Sequence, residues 1–170
     1  MPNTYSFPAV AKVGAWAEEQ IALRFEQSGW RVDRVQKDPF GRGMDFDLVV
    51  ESPVGGVFLI EVKGDRYTTG NLYVEEVSNA DKGTPGCLLY SQADWFAYYY
   101  VALGVCYMIP ARAFQTWAAR RLQDYPTKQV RTGQAGKVQY NSTGRPVPMV
   151  DIQREVPGVY KLDGLPVMEG

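Results

Sequence analysis

The residues best equipped to do chemistry fall in one stretch, 43–63, GMDFDLVVESPVGGVFLIEVK. Side chains along a strand alternate between faces, so Glu61 and Lys63 share one side of theirs, as do Asp45 and Asp47 where the preceding strand begins. Ser52-Pro53-Val54-Gly55-Gly56 marks a hairpin-like connection, and antiparallel pairing then sets Asp47 near Glu61 and Lys63. Two carboxylates converging at a strand edge suit a hard divalent cation. Mg²⁺ takes oxygen ligands from one or two carboxylates and completes its shell with water and phosphate. A lysine beside it can orient or deprotonate a water, or neutralise charge developing on phosphorus. The chemistry implied is phosphodiester hydrolysis. Leu59 and Ile60 directly precede Glu61 in an apolar run, which makes this a central strand, where a solvated ion pair explains the charges poorly.

The elements that must position these residues are written in the hydrophobic pattern. Val10, Val13, Ala17, Ile21 and Phe25 recur at helical spacing over 9–28, with Gly29 as a stop. Residues 30–35 nearly alternate as a half-exposed strand, Phe40-Gly41-Arg42-Gly43 turns, and 46–50 and 57–62 form the hairpin strands. A further strand covers 72–77, followed by a polar loop over 79–86. Ser91 with Asp94 three residues on has the form of a capping box, predicting a helix through Trp95, Phe96 and Tyr98-Tyr99-Tyr100 to Leu103, closed by Gly104. On such a helix these aromatics are core or dimer contacts rather than base-stacking platforms. Residues 105–109 are a short buried strand, and a helix from Pro110 carries Phe114, Trp117, Ala118 and Leu122. From Pro126 onward Gly, Pro and polar residues dominate, with β-like fragments at 137–140 and 148–152. This predicts a core over 1–125 and a loosely packed basic arm over 126–170, part of the same domain or a DNA or dimer contact.

Composition narrows the chemistry further. A chain of 170 residues, 45% hydrophobic and 22% charged, is one globular domain. The absence of histidine removes Ser-His-Asp and Cys-His nucleophile systems and His-ligated zinc. Cys87 and Cys106 lack CxxC partners and read as reduced and buried. No run approaches the roughly 18 apolar residues of a membrane span, and the N-terminus lacks signal-peptide character, so a soluble, cytoplasmic protein is expected. The net charge of -1 conceals a division: residues 1–110 hold 9 Lys and Arg against 14 Asp and Glu, whereas 111–154 hold 8 against 2. A basic stretch beside clustered carboxylates suits phosphate binding. Arg112, Arg120, Arg121, Lys128, Arg131, Lys137 and Arg145 are the candidates for DNA phosphate contact.

Asp47 with Glu61-Val62-Lys63 resembles the signature of the PD-(D/E)xK nuclease superfamily, and Gly14-Ala15-Trp16-Ala17-Glu18 looks like the GxxxE pattern that opens archaeal-type Holliday junction resolvases. Residues 69–100 are similar to phage-encoded nuclease-like proteins of that superfamily, in which a Glu-bearing strand precedes a Gly-rich loop. The resemblance covers roughly 12–122 and departs at Phe46, where the pattern has Pro; Asp45 competes with Asp47 in the same face register, and Glu76 with Glu75. It implies an α/β fold, a central mixed β-sheet flanked by helices. It also implies an Mg²⁺-dependent (or Mn²⁺-dependent) endonuclease acting on branched DNA such as Holliday junctions, as a homodimer in the host cytoplasm; the alternatives are a nuclease on simple duplex or single-stranded DNA and a non-catalytic phage DNA-binding module of the same fold. Asp47, Glu61 and the Val62 carbonyl would hold the metal and Lys63 position the water. Glu18 would hold a second metal or its water, and Asp45 and Glu75 are the less central acids.

Overall fold

The computed structural model describes residues 4–5, 7–36, 45–79, 83–132 and 140–169. In chain order the elements are β1 (Thr4–Tyr5), α1 (Phe7–Gln27), β2 (Arg31–Arg34), β3 (Leu48–Glu51), β4 (Val57–Asp65), β5 (Asn71–Asn79), β6 (Thr84–Pro85), α2 (Cys87–Tyr90), β7 (Trp95–Tyr100), β8 (Val105–Pro110), α3 (Ala111–Arg121), a 3₁₀ turn at Leu122–Asp124, β9 (Lys128–Thr132), β10 (Tyr140–Pro148), α4 (Met149–Glu155) and β11 (Tyr160–Leu162).

Among the described residues these strands form two sheets. The larger is mixed, in the order β11-β8-β7-β4-β3-β2, with β4 and β7 parallel and its other neighbours antiparallel. The smaller runs β1-β9-β10-β5-β6. The alternation of β4 decides what lies on each side of the larger sheet. Ile60 and Val62 join Leu48, Val50, Ala97 and Tyr99 in a cluster with Val13, Ala17 and Ile21 of α1. Gly64 continues this face: a Cβ there would stand 2.9 Å from the Ala17 Cβ, so only glycine lets helix and strand approach this closely. The opposite face carries Phe96, Tyr98 and Ile109 against Leu72, Val74 and Val147 of the smaller sheet, with Phe114 and Trp117 of α3 and Met149 and Ile152 of α4. The architecture is α/β, a central mixed sheet flanked by helices. No described helix is long and apolar enough to cross a membrane.

The helix expected over 91–103 is the strand β7. A run of aromatics has high strand propensity, and a central strand buried on both faces shows no alternation. Phe96, Tyr98, Tyr99 and Tyr100 are 1%, 5%, 0% and 2% exposed, so they are core and form no surface reservoir for a dimer. The residues that imitate a capping box tie down the sheet instead. The Ser91 hydroxyl donates to the Asp45 carbonyl at 2.6 Å, and the Asp94 carboxylate accepts the Leu59 N–H at 2.8 Å. Gly104, at φ 64°, turns the chain from β7 into β8 rather than ending a helix.

The chain beyond 126 is not loosely packed. β10 lies between β9 and β5, β11 pairs with β8, and Val147, Met149, Ile152 and Val156 are buried. Gly144 belongs inside that strand because a Cβ would meet the Val74 carbonyl at 2.4 Å. The β-like fragment at 148–152 is the start of α4, a short apolar run whose period does not separate helix from strand. The turn at 40–43 and the fragment at 137–139 lie outside the described residues.

Candidate active site

The hairpin of β3 and β4 pairs Leu48 with Ile60, which places Asp47, one residue earlier, opposite Glu61. The Asp47 N–H donates to the Ile60 carbonyl at 2.9 Å, and its carbonyl accepts the Val35 N–H at 2.9 Å, fixing the backbone from both neighbouring strands. Its Oδ2 accepts the Val62 N–H at 2.7 Å. Asp47 and Glu61 are 3% and 4% exposed. The Lys63 ammonium, two residues along the same face, lies 2.7 Å from Glu61 Oε1, and its side chain is 37% exposed. A buried carboxylate pair backed by a lysine that reaches solvent can hold and polarise a charged ligand.

Asp45 and Asp47 now separate. Asp45 is exposed, with its carbonyl held by Ser91, whereas Asp47 is the acid lodged against Val62. Glu75 and Glu76 separate as well. Glu75 faces Lys63 and Cys87, with the Ser142 hydroxyl beside it. Glu76, on the other face of β5, pairs with Arg145 at 3.0 Å and accepts from Gln123 at 2.9 Å. Glu18 is half-buried on α1, the helix that packs on the Ile60–Val62 face of the larger sheet.

Electrostatics bind the group together. Burial alone would lower the Lys63 ammonium, but the Glu61 carboxylate beside it outweighs that and raises it, so Lys63 is a cation and a proton donor rather than a base. Burial raises the Glu75 carboxyl, opposed by the charge of Lys63. Burial likewise raises the Cys87 thiol, so it stays protonated at neutral pH. Cys87 and Ser142 were not legible as site residues. They come from α2 and β10, and only the pairing of β10 with β5 brings Ser142 across.

Among the described residues no three His, Cys, Asp or Glu side chains converge as a closed metal cage. The donor set that does exist, two buried carboxylates of Asp47 and Glu61 beside the Val62 backbone, is hard oxygen chemistry. That fits Mg²⁺, which keeps several waters, and does not fit a structural zinc site.

The basic residues divide. Arg112 and Arg120 are exposed on α3, and Lys128 is exposed at the start of β9. Arg121 is engaged by Asp124 at 3.2 Å and Glu155 at 3.4 Å. Arg145, whose side chain is 13% exposed, is locked by Glu76, Gln123 and the Tyr125 carbonyl and is a structural residue rather than a phosphate contact. Lys137 and the side chain of Arg131 lie outside the described residues. Arg145→Ala should therefore lower the free energy of unfolding by about 2 kcal/mol, the scale of losing charged hydrogen bonds, measured by urea denaturation. A flatter salt dependence of DNA binding with unaltered stability would return Arg145 to the phosphate-contacting set.

No protein-family model matches the sequence, and no curated protein does. Among solved structures the chain is similar to that of a bacterial homing endonuclease, I-Ssp6803I, with 22% sequence identity and a TM-score of 0.46, over 62% of this chain and 72% of that one.

Proposed function

We propose that this protein is a metal-dependent DNA endonuclease that hydrolyses phosphodiester bonds at Asp47, Glu61 and Lys63, and that its substrate is branched DNA such as a Holliday junction. The observation that carries the reading is the burial of two carboxylates on adjacent strands beside a lysine ammonium at 2.7 Å. Buried carboxylates are costly unless cations neutralise them, and a divalent cation held by Asp47 and Glu61 would offset the cost of burying both. Asp47, Glu61 and the Val62 carbonyl are the groups that would hold Mg²⁺, which when bound supplies a Lewis acid for the phosphate and a more acidic water. The chain's own part is then electrostatic. The sheet fixes the carboxylates, and Lys63 donates hydrogen bonds to the attacking water or to the charge gathering on phosphorus. Exposed Arg112, Arg120 and Lys128 supply phosphate contacts. Cutting a junction symmetrically takes two active sites, hence two copies of the chain.

The test compares a four-way junction, a splayed duplex and a linear duplex, each with Mg²⁺, with Mn²⁺ and with EDTA. Cleavage should require metal and be fastest on the junction, and light scattering should show two chains per junction. Absence of cleavage under every metal, with junction affinity kept, would leave a DNA-binding module and remove the enzyme. Cleavage indifferent to branching would remove only the junction specificity.

A further inference from the structure

Beyond Lys63 the site opens into a cavity of about 520 Å³ between the two sheets. That is within the size range of pockets that enclose a small organic ligand. The carboxylate end is lined by Lys63 and Glu75, and the rest by Tyr67, Asn71, Tyr73 and Lys128 among others. Its wall is preorganised. Tyr98 donates to Asp65 Oδ2 at 2.7 Å and accepts the Tyr73 N–H at 3.3 Å, while Asp65 Oδ1 accepts the Tyr67 N–H at 2.8 Å. The Tyr73 hydroxyl donates to the Lys128 carbonyl at 3.0 Å, tying β5 to β9 over the intervening β10 along the wall formed by the smaller sheet. Tyr67 lines the cavity and is 41% exposed.

We infer that this cavity is a binding site for a single unpaired nucleotide of a DNA strand. The inference rests on the nuclease reading, because the end of the cavity at Lys63 is where that nucleotide's phosphate would meet the carboxylates. Tyrosine faces suit a stacked base, the amide of Asn71 suits its hydrogen-bonding edge, and the exposed ammonium of Lys128 suits a flanking phosphate. A base held in a duplex reaches a pocket only by leaving the stack. The site thus selects strands that are already unpaired, such as those at a branch point or a single-stranded end.

Fluorescence anisotropy of the full chain in EDTA, at one fixed salt concentration, tests this without cleavage entering. The probes are a labelled single strand of roughly 12 nucleotides and a blunt duplex of the same length. The single strand should bind about tenfold or more tighter than the duplex. Tyr67→Ala should weaken single-strand binding by roughly 5- to 150-fold, the worth of stacking one base, and move duplex binding less than about twofold. Tyr67→Phe, which keeps the ring, should restore it, and thermal melts of both variants check folding. Equal or tighter binding of the duplex, or an unaltered Tyr67→Ala, overturns the inference. So does displacement of the strand by equimolar thymidine 5′-monophosphate, which would mark a free-nucleotide site instead. Failure of the nuclease reading is seen elsewhere, in the absence of metal-dependent cleavage.

Discussion

Glu61→Gln should lower the single-turnover rate of Mg²⁺-dependent DNA cleavage by roughly 10²- to 10³-fold, the range seen when one preorganised electrostatic group is removed. The amide keeps the shape of a side chain that is 4% exposed while deleting the charge that a cation would meet. Lys63 remains partnered by Glu75 and Cys87, so the fold should hold, and the thermal midpoint without metal should stay close to that of the parent. A second readout separates catalysis from scaffolding. Added Mg²⁺ should raise the midpoint of the parent protein by stabilising the native state through binding, and should do so much less in the variant. Lys63→Met should cost a comparable factor in rate yet leave the metal-induced stabilisation in place, because the lysine is a donor to the reacting groups and holds no metal. A Glu61→Gln rate within about tenfold of the parent would take Glu61 out of the chemistry and leave its pairing with Lys63 as a structural bridge.

That variant probes the part of the site the sequence made legible. Asp47, Glu61 and Lys63 could be set together because a strand has a period of two and a hairpin pairs its neighbours, both local rules. The apolar stripe of α1 and the antiparallel β3–β4 pair followed for the same reason. What stayed hidden depended on contacts distant in sequence. The Ser91–Asp94 spacing satisfies a helix-capping pattern, but here the same groups bond Asp45, just before β3, and Leu59 on β4. Trp95 to Tyr100 have no alternation because both faces of β7 are covered, one by α1 and one by the smaller sheet. Glu75 could be told from Glu76 only once β10 had crossed to pair with β5, because that strand brings Ser142 to one and Arg145 to the other. The Gly- and Pro-rich composition after Pro126 suggested a loose arm, whereas Gly144 is there to let two strands approach.

Gly86→Ala should be the most damaging added methyl group among the described glycines, costing about 3 kcal/mol, the upper end of overpacking. Its backbone is ordinary, with φ −69° and ψ 137°, so conformational freedom is not what the position requires. Space is: a Cβ would lie 1.8 Å from the Glu75 carbonyl oxygen and 2.5 Å from its carbonyl carbon. Those are backbone atoms of a paired strand and cannot swing aside as a side chain could. Relief must come from moving α2 away from β5, breaking the Gly86 N–H bond to the Glu76 carbonyl at 3.1 Å and unseating buried Leu88. Cys87 and Glu75, which flank Lys63 from these two elements, would separate, so cleavage should fall even in molecules that remain folded. Gly14→Ala supplies the contrast. That glycine lies inside α1 with nothing within 4 Å of the added carbon, so the substitution should raise stability by roughly 0.5–1 kcal/mol through helix propensity. Urea denaturation of the two variants beside the parent measures both signs at once. A loss below about 1 kcal/mol for Gly86→Ala would mean that α2 yields freely, and the close seating of α2 on β5 would then not be what holds Cys87 and Glu75 around Lys63.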